Sequence, residues 1–263
     1  MSTHTQTAVI TGASSGIGIE LARLLAADGY ALVISARRTD RLQQLAQELG
    51  ALHGTPVTVV ASDLAQPGAG AALWNEIAAR APRVDVLVNN AGVGDTGHLA
   101  DASPETLERM IQLNVLSLTS LTRQALPGMM QRRQGRILNV SSLAGLQPGG
   151  PGMAVYYASK SYVLSFSRGI RRELSGTGVS VTTLCPGVTA TEFGQVAQAQ
   201  HTRLFNWTKP MSAQAVALAG YRGLQSGRAL VVPGLLNKIL ATSAKLAPTA
   251  IGLEFNRLLL ARD

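Results

Sequence analysis

With 263 residues, 46% of them hydrophobic and 14% charged, the chain has enough apolar side chains for a sizeable core, which excludes a disordered protein. The net charge of +8 suits an anionic partner, but the basic residues are scattered over helical patterns without interleaved aromatics, which argues against nucleic-acid binding. Cys185 is the only cysteine, so no intrachain disulfide can form; Met1–Gln6 shows no signal-peptide pattern and no apolar run reaches transmembrane length, so a soluble, cytoplasmic chain is expected.

The apolar run Ala8-Val9-Ile10 ends in Thr11-Gly12-Ala13-Ser14-Ser15-Gly16-Ile17-Gly18, and Ile17, Leu21, Leu24 and Leu25 start a helical pattern at once. Strand, glycine turn, helix is the context in which a backbone can approach a pyrophosphate and a helix N-terminus can face it. An ordinary turn needing small residues would read the same way. Ala31–Ser35 is the next strand, and Arg38–Leu49 a helix with Leu42, Leu45 and Leu49 on one face. Val57–Ala61 follows as a strand, then a helix near Ala69–Ala79, then the strand Val84–Val88 running into Asn89-Asn90-Ala91-Gly92. Ser103 is placed to cap a long helix with Pro104 at its first position, continuing towards Met130 with a local break or kink at Pro127. Arg136–Val140 and Val179–Leu184 are strands around the helix Val155–Leu174; Met211–Leu224 is a helix, Ala229–Val232 a short strand, and the tail is helical.

This alternation predicts an α/β fold: a doubly wound parallel sheet of about seven strands with helices on both faces. Residues 1–234 are read as one dinucleotide-binding and catalytic domain, and 235–263 as a helical extension packed on it. Ligands in such sheets bind beyond the carboxyl ends of the strands.

The second strand ends in Ile34-Ser35-Ala36-Arg37-Arg38, where a carboxylate would bond the ribose 2′-hydroxyl of NAD. Guanidinium groups instead pair with a 2′-phosphate, which favours NADP(H) over NAD(H); a solvated arginine pair is the alternative. Tyr156 and Lys160 stand at i and i+4 on one helix face. A free tyrosine has a pKa of about 10, and one ammonium about 4 Å away in a shielded site contributes roughly 4 kcal/mol towards lowering it. Such a pair also often merely covers a helix surface, so its company decides.

That company is Thr11-Gly12-x-x-x-Gly16-x-Gly18, Asp63-Leu64, Asn89-Asn90-Ala91-Gly92, Leu113-Asn114-Val115, Ser141-Ser142, Tyr156-x-x-x-Lys160 and Pro186-Gly187-x-x-x-Thr191, in that order. Over roughly Thr7 to Val232 the chain resembles the short-chain dehydrogenase/reductase family, whose domain is of Rossmann type. The resemblance implies that Tyr156 is the general acid/base. Lys160 would lower its pKa and hold the nicotinamide ribose, Ser142 would bond the substrate oxygen, with Ser141 as rival, and Asn114 would fix a relay water. Gly12, Ser14, Ser15, Gly16, Ile17 and Gly18 would line the pyrophosphate, and Arg37 with Arg38 would anchor the 2′-phosphate. Asp63, beside Leu64, would accept from the adenine amino group. Asn90, Ala91 and Gly92 would follow the adenosine half, and Pro186, Gly187, Val188 and Thr191 the carboxamide and phosphates. No metal is implied, nor any catalytic role for Tyr157, Ser159, Cys185 or His98.

The activity implied is hydride transfer between NADP(H) and a carbonyl or alcohol. A non-catalytic nucleotide sensor that keeps the fold is the rival, and a basic nucleic-acid binder ranks last. Between Thr191 and Met211, Phe193, Leu204, Phe205 and Trp207 predict a pocket for a lipophilic ketone or aldehyde. The family's habit predicts a homodimer or homotetramer through the helix of Ser103–Met130 and that of Tyr156. In the tail, Leu235, Leu236, Ile239, Leu240 and Leu246 form one stripe away from Lys238 and Lys245. Ile251, Phe255, Leu258 and Leu259 form a second with Arg257 and Arg262 nearby, and Pro248 separates the two. Packing on the domain or a partner subunit, a flap over the substrate mouth, and peripheral membrane contact stay open for it.

Overall fold

A computed structural model describes residues 5–261; Arg262 and the side chain of Lys245 lie outside what it describes. Its strands and helices alternate as β1 (Thr7–Thr11), α1 (Gly16–Ala27), β2 (Ala31–Ala36), α2 (Thr39–His53), β3 (Val57–Ala61), α3 (Ala69–Arg80) and β4 (Val86–Asn89). The chain continues through α4 (Pro104–Ile111), α5 (Leu118–Gln131), β5 (Gly135–Val140), α6 (Ala154–Glu173) and β6 (Val179–Leu184). After β6 come β7 (Thr189–Ala190), α7 (Phe193–Val196), α8 (Arg203–Trp207), β8 (Met211–Ser212), α9 (Ala213–Gln225) and β9 (Leu230–Val231). The tail forms α10 (Leu235–Leu246) and α11 (Thr249–Leu260), parted at Pro248.

The seven-stranded sheet has the order β3-β2-β1-β4-β5-β6-β9 and is parallel throughout. Both faces of β1 are apolar because both are covered. Ile10 packs with Leu21 and Leu25 of α1, Leu42 of α2 and Val216 of α9. Its neighbour Val9 packs on the opposite side with Leu73 and Ile77 of α3, Leu121 of α5 and Ile170 of α6. Each such fully buried aliphatic side chain contributes about 1.5–3 kcal/mol. The order reverses between β1 and β4, and the crevice beyond their carboxyl ends is where such sheets bind ligands.

Three local features depart from the sequence reading. The long helix is not uniform: Gln112–Ser117 between α4 and α5 winds as a π-helix around Asn114, the kind of local widening found at functional sites. Helix α5 also runs on past Pro127 to Gln131, since Leu121, Ala125 and Met129 remain buried against the sheet on either side of it. Met211–Ser212 is a strand rather than the first turn of a helix. It pairs in parallel with Thr189–Ala190, and Ser212 Oγ accepts from Ala215 N at 3.1 Å to cap α9 instead. Ser103 caps α4 as its sequence predicts, its hydroxyl accepting from Thr106 N. No helix among the described residues is long and apolar enough to cross a membrane.

Candidate active site

The glycine turn after β1 is built by its own sterics. Gly12 and Gly16 have φ of 68° and 54°, the left-handed region that side chains resist. A Cβ on Gly18 would lie 2.2 Å from the Gly12 carbonyl oxygen, and one on Gly16 would lie 2.7 Å from Thr191 Cγ2. Gly18 is therefore buried under the turn, where it lets helix and strand approach. Ser15 is the N-cap of α1, and its side chain makes no capping bond. Asn90 clamps the turn from β4: its amide donates to the carbonyls of Thr11 at 2.9 Å and Gly12 at 3.2 Å. Asn89 ties the strands below, donating to Thr122 Oγ1 and Asn139 Oδ1, both at 2.9 Å.

A cavity of about 380 Å³ opens beside this turn. Its walls include Gly12, Ser14, Ser15, Gly16, Ile17, Arg37, Arg38, Asp63, Leu64, Asn90, Ala91 and Gly92 at one end and Ser142, Tyr156, Lys160, Pro186, Gly187, Val188 and Thr191 at the other. Of the cofactor and catalytic residues read from sequence, Gly18 and Asn114 stay off this surface; of the aromatic segment, Phe193, Leu204 and Phe205 line it, whereas Trp207 is 59% exposed and stays off it. The missing Cβ of Gly18 serves the packing beneath the turn.

At the reacting end, α6 carries Tyr156, Ser159 and Lys160 on its buried side. Lys160 Nζ donates to the Val140 carbonyl at 3.1 Å and lies 5.8 Å from the centre of the Tyr156 ring. Burial pulls the Lys160 ammonium down to about 8. Burial pushes the Tyr156 hydroxyl up to about 12, with hydrogen bonding to Ser142 opposing it. In this geometry desolvation outweighs the help that the sequence argument assigns to lysine.

The two serines divide their work. Ser141 is buried and its hydroxyl donates to the Lys160 carbonyl at 2.7 Å, which fixes α6 to the end of β5. Ser142 caps the turn Leu143–Leu146, its Oγ accepting from Ala144 N at 3.2 Å on the cavity wall.

Asn114 is 1% exposed. Its amide donates to the Val93 carbonyl at 2.9 Å and to Ser159 Oγ at 3.0 Å, while Oδ1 accepts from Val93 N. A Cβ on Gly92 would meet Lys160 Nζ at 3.0 Å and Asn114 Oδ1 at 3.2 Å, so glycine there lets lysine and asparagine close on the same spot.

The opposite end of the cavity is charged. Asp63 accepts from Arg109 at 3.0 Å, from Gln66 and from the Ala65 amide. Burial would raise its carboxyl, but Arg109 and the other donors hold it below the usual carboxylate range. Arg38 reaches Ser14 Oγ and the Ser14 carbonyl and pairs with Glu192 at 2.8 Å. Arg37 is exposed on the cavity rim. Ser35 lines the floor below, and its buried hydroxyl has no partner.

Some residues here had no signal in the sequence. Glu192 on the wall, and Arg109, which reaches Asp63 on it, are single charges on loop or helical stretches, and Met153 and Asn256 reach the cavity only because the chain folds back. Leu240, Phe255 and Leu259 of the two apolar stripes in the tail also line it, as does Tyr157. Leu260 packs with Met110, Met153, Tyr156 and Tyr157. Phe193, flagged as a lipophilic wall, stands 5.3 Å from the Tyr156 ring. Tyr157 is pushed up by burial, and Cys185, wholly buried, is pushed up to about 11. His98 is an exposed loop residue, and no metal-binding cluster exists among the described residues.

The short chain dehydrogenase family model matches residues 6–202. Over 184 residues the chain is 39% identical to dehydrogenase/reductase SDR family member 7B of Bos taurus, covering 68% of this chain but only 56% of the bovine protein. Among solved structures it resembles a short-chain dehydrogenase from Sphingobium yanoikuyae in complex with NADPH, with a TM-score of 0.80, 31% identity, and 92% and 94% of the two chains covered. A short chain dehydrogenase/reductase from Burkholderia phymatum in complex with NAD matches with a TM-score of 0.80 and 26% identity, over 96% of this chain and 95% of that one. With the glycine turn, the Tyr156–Lys160 helix and the parallel sheet in this arrangement, the chain belongs to the short-chain dehydrogenase/reductase family of oxidoreductases.

Proposed function

We propose that the protein is an NADP(H)-dependent reductase interconverting a lipophilic ketone or aldehyde with its alcohol. The observation that carries this reading is one cavity holding Tyr156, Ser142 and Lys160 at one end and Arg37 and Arg38 at the other, with the glycine turn between them. The residues fit the cofactor. The turn has no Cβ where a pyrophosphate would lie, the N-cap of α1 is free of a side-chain bond, and Ser35 offers an unpaired hydroxyl. The end of β2, Ile34-Ser35-Ala36-Arg37-Arg38, carries no carboxylate, and the exposed Arg37 suits a 2′-phosphate.

When bound, the nicotinamide supplies or accepts the hydride. The Tyr156 hydroxyl gives its proton to the carbonyl oxygen, or takes it back from the alcohol. A hydroxyl with a pKa near 12 stays protonated at neutral pH and acts first as a donor. Ser142 bonds the same oxygen as negative charge develops on it. Lys160 sits behind Tyr156 with its charge in a dry site, where it stabilises the tyrosinate that forms. Asn114 positions this group by holding Val93 against Ser159 of α6 and, on this reading, fixes the relay water that reaches Lys160.

Phe193, Leu204, Phe205, Met153, Leu240, Phe255 and Leu259 line the cavity and favour an apolar substrate. Through Leu240, Phe255 and Leu259 the tail acts as a wall or flap of the substrate pocket. The exposed Ile111, Leu116 and Tyr162 on the π-helix, its flank and α6 offer the face for a homodimer. The buried, lone Cys185 suits a cytoplasmic protein. Following NADPH and NADH consumption with hydrophobic ketones and with small polar sugars tests the reading. Turnover of the ketones with NADPH supports it, whereas turnover confined to sugars or to NADH overturns it.

A further inference from the structure

A carboxylate of the protein itself holds the arginines at the adenosine end. Glu192 Oε2 pairs with Arg38 Nη1 at 2.8 Å, and Glu192 Oε1 with Arg41 Nη1 at 2.5 Å. Arg38 is the cation that also reaches the hydroxyl and carbonyl of Ser14, and Glu192 and Ser14 line the same cavity. The Arg41 and Arg38 guanidinium groups hold the Glu192 carboxyl below its usual range, so it is fully charged at neutral pH.

Glu192 belongs to a short run that touches both ends of the site. Thr191 lies over Gly16 of the turn, and its hydroxyl accepts from Phe193 N at 3.3 Å. Phe193 in turn packs on Tyr156.

We propose that Glu192 competes with the ribose 2′-phosphate for Arg38 and Arg41, and that this residue sets how strongly the chain discriminates NADP(H) from NAD(H). A phosphate dianion takes the same guanidinium donors with more charge and more acceptor oxygens than a carboxylate. A dinucleotide with a 2′-hydroxyl leaves the carboxylate in place. Arg41 thereby joins the specificity site through Glu192, although nothing in the sequence around it marks it. Part of the phosphate's binding energy goes into displacing Glu192, which frees the run that carries Phe193.

The inference rests on the NADP(H) reading, and one calorimetric experiment separates the two. Dissociation constants for NADP+ and NAD+ are measured on the wild type and on Glu192→Gln. Both partners of each ion pair are substantially solvent-exposed, so removing the charge is expected to tighten NADP+ by about three- to tenfold and leave NAD+ within about twofold. A wild type that binds NAD+ at least as tightly as NADP+, with no gain for NADP+ in Glu192→Gln, overturns the NADP(H) reading and the competition together. A wild type that prefers NADP+, with the ratio unmoved by Glu192→Gln, overturns the competition alone. Weakened binding of both dinucleotides would also contradict it, by making Glu192 a strap over the cofactor.

Discussion

Asn256, near the end of the chain, donates its amide to the Gly149 carbonyl at 2.6 Å and is 3% exposed. Gly149 lies in the loop that leads from Ser142 to the Tyr156 helix, so the bond ties the tail to the reacting end of the cavity. Around it, Gly252 faces Pro148, and Arg203 N donates to the Ala261 carbonyl at 3.0 Å. Replacing Asn256 by Leu leaves the Gly149 acceptor unpaired, at a cost of about 1–3 kcal/mol. The melting temperature is expected to fall by roughly 2–10 °C and KM for hydrophobic ketones to rise with kcat little changed. A KM identical to wild type would remove the tail from the substrate pocket.

Gly92 gives a second expectation. A methyl group there must displace Lys160 Nζ or Asn114 Oδ1. Gly92→Ala is expected to fold, because these are side-chain atoms, and to lower kcat more than tenfold. Comparing kcat with the dissociation constant of NADPH checks it; an unchanged kcat would show that the lysine moves aside at no cost to the chemistry.

The buried lysine makes stability depend on pH. Its folded pKa is about 8 against an ordinary value of 10.5, so between these values the unfolded chain holds the proton more tightly than the folded one. The penalty is complete below about pH 8 and is relieved as pH rises towards 10.5. Cys185 and Tyr156, both raised, act in the opposite sense at higher pH. The comparison is therefore wild type against Lys160→Met in denaturant titrations at pH 7.5 and 9.5. The wild type is expected to gain on the variant between these two pH values by about 2 kcal/mol. A constant difference would mean that Lys160 titrates normally.

Leu116 on the π-helix is 52% exposed and Tyr162 on α6 is 38% exposed. Tyr162 stacks on Phe166 at 5.7 Å and bonds Thr119 at 2.9 Å, which makes a firm apolar face of α6 with the helix before it. Light scattering at micromolar concentration is expected to show a dimer or tetramer, and Leu116→Arg to reduce its mass to that of one chain. A monomeric wild type would refute the proposed face.

Periodicity and punctuation made most of the sheet legible. Val57–Ala61 and Val179–Leu184 match β3 and β6, because buried parallel strands read as apolar runs between turn residues. The glycine turn after β1 was legible too, since such a turn leaves a pattern in adjacent residues. What escaped depends on distant segments meeting. Arg41 reaches Glu192 across 151 positions and Arg109 reaches Asp63 across 46, and neither separation leaves a local trace. The π-helix also escaped: Asn114 within it bonds Val93, a contact between separate segments that leaves no local pattern. The i, i+4 spacing puts Tyr156 and Lys160 on one helix face, but only the structure shows how completely both are buried.

The central claim is that Tyr156 delivers the proton to a carbonyl from within an NADP(H) site, and Tyr156→Phe tests it most directly. The ring is 8% exposed and packs against Phe193 and Tyr157, so loss of the hydroxyl alone keeps those contacts. Steady-state NADPH oxidation with a hydrophobic ketone is measured beside the dissociation constant of NADPH. The account predicts a loss in kcat of about 10²–10⁴-fold with the dissociation constant unchanged within about twofold. A variant that turns over at close to the wild-type rate would contradict it.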